Sequence, residues 1–408
     1  MRIFGRELFE VGSRARAILT IACLACPLGA RAQAGGRDTT FWVSRDAAVE
    51  ASRQTRKIRV AIWDSGTDTT LFARQLARDG SGRIILRGYD AFKNRQDLAL
   101  PVLPDSVRRR ARELNAILRA LDDRDSGVDT PEAREISERL EKQSPAEAAE
   151  FDDVVGRWSG YVHGTAVADI ALAGNPHVEL VIARMEWWHG SPPVPCWSYE
   201  LADREARSIA DLLRFIVDNG ARVVNMSWGR SERAYVGNLK QCAPDMPEPE
   251  RQKLARYTVE KIRGVLISGM QSAPDVLFVG AAGNSGIDMK AENPATRFSL
   301  PNFLIVGAVD RFGAATAWTN TGSEVTLFAN GDRVPARMPD GAPSFPSGTS
   351  MATPLVVGAA AKVLAVNPAL TGAELRAVLE QSATRNATGQ PLLHPQRAVD
   401  AAKVRRGR

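Results

Sequence analysis

From Tyr161 onward, short apolar runs rich in β-branched residues take turns with longer stretches of helical periodicity. Residues 178–185, 221–228, 276–282 and 303–309 read as strands, and residues 204–219 and 254–268 as helices. The strands lack the apolar–polar alternation of a half-exposed sheet, so both of their faces must be covered. That pattern predicts an α/β fold: a mostly parallel central sheet with helices on both faces. In such a sheet, chemistry is expected just beyond the carboxyl ends of the strands. The residues that follow each strand are therefore the ones to inspect.

A lysine-led strand at residues 57–63 runs into Asp64-Ser65-Gly66. An acid there can hold an imidazole in one tautomer and stabilise it when charged. Of the four histidines, only His163 sits in a suitable context, Tyr161-Val162-His163-Gly164-Thr165-Ala166-Val167-Ala168. This string resembles a family motif in which a histidine opens a helix after a glycine-containing turn. His177 beside Asn175-Pro176 and His394 beside Pro395 read as turn residues, and His189 falls in a Trp-rich loop. Asp68 reads as a turn or surface residue. The strand at 276–282 leads into Gly283-Asn284-Ser285-Gly286, where a side-chain amide can donate to a developing oxyanion. Finally, Ser347-Gly348-Thr349-Ser350-Met351-Ala352-Thr353-Pro354 opens directly into an apolar run at 355–366 that reads as a buried helix. Ser350 thus sits at a helix N-terminus, among free N–H groups and the positive end of the dipole.

Taken singly, these are an N-cap, a structural histidine and two turns. Together, in the order Asp64, His163, Asn284, Ser350, they resemble the motifs of the subtilisin-like serine proteases (subtilases), whose chain order is Asp, His, Ser. The resemblance covers residues 58–94 and 158–385. It implies an exported serine endopeptidase with Ser350 as nucleophile, His163 as base, Asp64 as its orienting acid and Asn284 as oxyanion donor. It also marks Val223 to Gly229 as the edge strand that pairs with a polypeptide substrate. Ser227, Trp228 and Gly229, with Ala281, Ala282 and Gly283, would wall the pocket for the residue before the scissile bond. No cofactor is required for this chemistry; structural calcium is common in the family, but no site for it is legible. Two other readings stay open: a binding module on the same scaffold with little turnover, and a hydrolase of non-peptide acyl compounds.

Three departures stand out. Asp64 and His163 are 99 residues apart because residues 94–157 form a charged insertion, with 15 Asp/Glu and 11 Arg/Lys in 64 positions. Its caps at Thr130-Pro131 and Ser144-Pro145 predict inserted helices, expected to cover or gate the cleft. Trp228 occupies a place where the family has a smaller aliphatic residue. About 25 residues separate the export signal from the first strand, too few for the usual inhibitory propeptide.

That signal is residues 1–32, basic at Arg2, Arg6, Arg14 and Arg16, apolar at 17–28, and ending in Ala30-Arg31-Ala32. It predicts a periplasmic or extracellular location. Residues 33–57 read as a loose polar leader, 58–403 as the catalytic domain and 404–408 as a basic tail. Removing the signal lowers the net charge from +6 to about +3, too little to argue for nucleic acid. No later apolar stretch reaches the ~18 residues of a membrane span. Cys196 and Cys242 remain after export and can form one disulfide, and oligomeric state is not legible.

Overall fold

The structure, a computed structural model, describes residues 40–50, 56–125, 127–186, 195–289 and 295–406. The predicted signal, His189, Cys23 and Cys26 lie outside them. Nine strands form one sheet: β1 (Ile58–Asp64), β2 (Leu86–Tyr89), β3 (Val178–Met185), β4 (Val223–Met226), β5 (Leu277–Ala281), β6 (Phe303–Val309), β7 (Val325–Asn330), and the short β10 (Thr384–Arg385) and β11 (Pro391–Leu392). Between them, β8 (Ala336–Arg337) and β9 (Pro343–Ser344) make a separate hairpin. Strand order is β10-β11-β7-β6-β5-β4-β1-β3-β2, parallel except for the β10–β11 pair. This is the predicted α/β architecture.

Alternation along each strand sends side chains to two separate cores. From β1, Ile58, Val60 and Ile62 enter one core, while Ala61 and Trp63 enter the other. The first core is roofed by α3 (Ala111–Asp125), α4 (Pro131–Lys142), α5 (Pro145–Leu172), α9 (Thr349–Val366), α10 (Gly372–Ser382) and α11 (Pro395–Arg406). The second is covered by α6 (Tyr199–Asp218), α7 (Glu232–Cys242) and α8 (Glu248–Gln271). Two short helices, α1 (Thr40–Val43) and α2 (Asp105–Arg108), complete the set among the described residues. Among the described residues one helix, Thr349–Val366, is long and apolar enough to cross a membrane, and it lies buried in the first core.

Several sequence expectations need correction. The insertion is helical, but it is not a flap laid on the surface. Leu114, Ile117, Leu118 and Leu121 of α3, Ile136 of α4, and Phe151, Val155 and Trp158 of α5 are buried in the first core. Nor does His163 open a helix. The capping box at Ser144 and Glu147 starts a helix of 28 residues that carries the chain from the insertion through His163 without a break. Residues 40–50 of the supposed leader are packed: Ala47 is buried in the first core, and Asp46 pairs with the buried Lys362 at 2.6 Å. The basic tail is shorter than expected, since α11 runs to Arg406.

Candidate active site

Asp64 is the last residue of β1, buried and side by side with Arg184 of β3. Its Oδ1 accepts hydrogen bonds from the Ser65 N–H at 2.7 Å and the Ser65 hydroxyl at 3.2 Å. His163 Nδ1 lies 2.7 Å from the same oxygen. A carboxylate only accepts, so Nδ1 carries a proton; in the neutral ring Nε2 then keeps its lone pair. Two glycines let α5 come this close. A Cβ on Gly164 would lie 2.2 Å from the Gly66 carbonyl oxygen, and Gly66 itself has φ of 121°. The Gly164 N–H donates to Ser65 Oγ at 3.1 Å, which ties the helix to the loop after β1.

Ser350 is the second residue of α9, whose N-cap is Gly348. Its hydroxyl lies 3.3 Å from the Ser227 carbonyl oxygen. Pro354, four residues on, has no N–H, so the Ser350 carbonyl loses its helical partner. The Ser227 hydroxyl supplies the missing donor at 2.9 Å. Ser350 is therefore anchored to the segment after β4. β1 and β4 are parallel and pair from Val60 with Val223 to Ile62 with Asn225, so Asp64 and Ser227 leave neighbouring strands at the same end of the sheet. His163 is tied to one of these strand ends and Ser350 to the other. The helices agree. A Cβ on Gly358 of α9 would lie 3.0 Å from the Ala171 carbonyl of α5, and Ser350 and His163 each lie eight residues before that contact.

Asn284 follows β5. Its Oδ1 accepts from the Thr349 N–H at 2.8 Å and the Thr349 hydroxyl at 2.9 Å. A backbone N–H can only donate, so this contact fixes the orientation of the amide. Its Nδ2 lies 3.4 Å from where a Cβ on Gly348 would sit, so the amide stands against the turn that opens α9 and carries Ser350.

Comparisons with known proteins bear on the family and the fold. The sequence model of the Subtilase family matches residues 55–398. The chain belongs to the subtilase family. Subtilisin E of Bacillus subtilis (strain 168) is 35% identical over 244 residues, which are 59% of this chain and 54% of that protein. This subtilase thus spans about half the length of the curated relatives it matches. Among solved structures, a cold adapted subtilisin-like serine proteinase superimposes with a TM-score of 0.51 at 20% identity, covering 86% of this chain and 94% of that one. A subtilase cytotoxin structure gives 0.53 at 16% identity, with 87% and 94% covered. These two likenesses concern the fold.

In this subtilase, β4 is not an edge strand: it lies between β5 and β1 in the middle of the sheet. Only residues 227–229 run on beyond it. β4 and β5 pair as far as Met226 with Gly280, so residues 227–229 and 281–283 leave neighbouring strands at the same end of the sheet. Trp228 is buried, with its ring edge-on to Trp63 at 5.0 Å. Behind it lies a charged cluster that sequence reasoning missed. Arg230 Nε donates to Glu205 Oε1 at 2.8 Å and the Tyr235 hydroxyl to Glu205 Oε2 at 2.9 Å, while Lys93 Nζ lies 3.9 Å from Oε1. Burial pushes the Glu205 carboxyl up, but Arg230 and Lys93 outweigh it and hold it below its ordinary range. Burial lowers Lys93 and raises Tyr235 well above a normal phenol. Arg230 also donates to the Gly229 carbonyl at 3.0 Å and lies 5.4 Å from the Trp228 ring, so the cluster braces that segment.

The remaining expected residues fall as follows. Cys196 and Cys242 are joined with Cα atoms 5.6 Å apart; Cys242 ends α7 and is not in an irregular stretch. Asp68 is a turn residue but a buried one, accepting from the Thr70 and Asp340 N–H groups. Among the described residues, no group of three or more His, Cys, Asp or Glu side chains could hold a metal. Thr349 as the partner of Asn284, and Ser227 as the donor to Ser350, also escaped sequence reasoning. A proline four residues after Ser350 was the available clue to the second.

Proposed function

We propose that this subtilase is an exported serine endopeptidase. The observation that carries the reading is His163 Nδ1 at 2.7 Å from Asp64, with Ser350 anchored on the adjoining strand end. Ser350 Oγ attacks the peptide carbonyl carbon as His163 Nε2 takes its proton. Asp64 holds the ring and stabilises the imidazolium. The carbonyl oxygen, now an oxyanion, is held by Asn284 Nδ2 and the Ser350 N–H. Collapse expels the amine, which receives the proton from His163, and leaves an acyl-enzyme. Water then adds by the same route and releases the acid and free Ser350. Residues 227–229, free of sheet partners beyond β4, offer backbone groups to an extended peptide.

The test is peptide hydrolysis and fluorophosphonate labelling of the full chain beside Ser350→Ala. Ser350-dependent turnover and labelling are expected. Turnover that survives the substitution refutes the assignment. Labelling without peptide cleavage favours the binding module, and ester cleavage without peptide cleavage favours the non-peptide hydrolase.

A further inference from the structure

The inserted helices reach the loop that presents Ser350. Three of the last four residues of α3 are acidic, Asp122, Asp123 and Asp125. Carboxylates there meet the negative end of the helix dipole, a placement that disfavours them unless something else holds them. Something does. Asp123 Oδ1 lies 3.2 Å from Arg333 Nη1, and its other oxygen accepts from the Thr130 hydroxyl at 3.3 Å. Asp122, its neighbour in this turn, is buried.

Arg333 is an unusual residue in its own right. It has φ of 49°, one of three non-glycine residues with positive φ among those described. A non-glycine residue held there marks a segment whose shape is imposed by its surroundings. The Arg333 N–H donates to Ser347 Oγ at 3.0 Å, Val334 N–H to the Pro346 carbonyl at 3.0 Å, and Gly348 N–H to the Gly331 carbonyl at 2.7 Å. Residues 331–334 are therefore the cradle of residues 346–348, and Ser350 follows two residues later. A Cβ on Gly331 would lie 2.7 Å from the Gly348 carbonyl oxygen, so the two strands of this cradle are pressed together.

We propose that the insertion is a brace for the nucleophile loop. The Asp123–Arg333 ion pair, through the Arg333 N–H on Ser347 Oγ, holds residues 331–348 in the shape that presents Ser350. Asp123 and Arg333 are positioning residues: they act on the reaction through the loop. Both are partly shielded, with side chains 18% and 31% exposed, so the pair is screened less than a surface pair. The proposal rests on Ser350 being the nucleophile, and it replaces the expectation of a gate with that of a fixed support.

The experiment uses the full chain, with Asp123→Asn, Arg333→Gln, the double variant and Asp123→Glu. Reactive sites are titrated with a fluorophosphonate, so that kcat is read per competent site whatever fraction has folded. Each single charge removal is expected to lower kcat about ten-fold, the scale of a sub-ångström to 1 Å misplacement, with KM within about two-fold. The double variant should match the worse single, because the two residues act through one contact, and Asp123→Glu should recover most of the rate. A kcat per site within about two-fold of the parent in Asp123→Asn, a rise in KM in place of the fall in kcat, or losses that multiply in the double variant overturns the brace. Parent turnover that survives Ser350→Ala overturns the reading of Ser350 instead. A Ser350-dependent parent with unchanged variants overturns the brace alone.

Discussion

Replacing Gly164 with alanine adds one methyl group at the tightest approach in the site. The new Cβ would lie 2.2 Å from the Gly66 carbonyl oxygen, 3.0 Å from the Gly66 nitrogen and 3.1 Å from Asp64 Oδ1. An ordinary contact begins at 3.4 Å, so α5 must retreat from β1 by about 1.2 Å, the difference 3.4 − 2.2. The obstacle is backbone and cannot swing aside. The same retreat would stretch the His163–Asp64 contact from 2.7 Å to about 3.9 Å, outside hydrogen-bond range. Overpacking of this kind costs ~1–3 kcal/mol in stability. The larger effect is on the reaction: loss of imidazole orientation lowers kcat by ~10²–10⁴-fold. Gly264, exposed in the interior of α8 with nothing within 4 Å of a built Cβ, is the control. Gly264→Ala should raise stability by ~0.5–1 kcal/mol and leave kcat alone. Urea unfolding and steady-state kinetics, normalised by fluorophosphonate titration, read both terms. A Gly164→Ala enzyme with kcat within about three-fold of the parent refutes the close approach of α5 as the source of His163's orientation.

Asn284→Ala should cut kcat ~10²–10³-fold with KM little changed, a magnitude measured on subtilisin's own oxyanion donor and carried over here; a pure KM effect would place Asn284 in ground-state binding. With Cys196 and Cys242 bonded, the oxidised, denatured protein will titrate no thiol from either residue, and Cys242→Ser will lower stability by ~2–4 kcal/mol. Free thiol at both positions refutes the bridge. His177 is buried with both ring nitrogens lacking hydrogen-bond partners, and burial, then Lys362, lowers its pKa. The unfolded chain therefore takes up a proton on falling pH before the native state does. The stability linked to this residue is complete above the ordinary imidazole value of ~6.5 and is lost as pH drops below it toward the native value. Urea midpoints between about pH 7.5 and pH 5 should fall less steeply in His177→Gln than in the parent; parallel slopes refute the assignment.

Much of the fold was legible because the determining interactions are local. β3 and β6 form over the residues whose apolar runs predicted them, and α4 and α5 start at the expected Thr130 and Ser144 caps. The short β2 and the polar α7 carry too little periodicity to be read, and neither was anticipated. The interior place of β4 was hidden for another reason: strand order is not written in any one segment. The capping box at Ser144 was read correctly, yet not that its helix would run on through His163. Gly156, Gly160 and Gly164 suggested a break, but α5 is held helical by its burial against β1 and α9.

The candidate site divides along the same line. Asp64, Asn284 and Ser350 could be picked out of the chain because each has a particular backbone setting, a strand end, a glycine turn or a helix start, that leaves marks in neighbouring residues; His163, inside α5, was marked by Gly164, which the close approach to Gly66 requires. What the sequence could not determine is anything that depends on two distant segments meeting. Trp228 against Trp63, Glu205 between Arg230 and Lys93, and Asp123 against Arg333 join residues 25 to 210 positions apart. A charged residue in the insertion reads as a solvated one until its partner is known. The sheet and the two cores decide that partner, because only the tertiary structure sets the distance and the dielectric in which two charges meet.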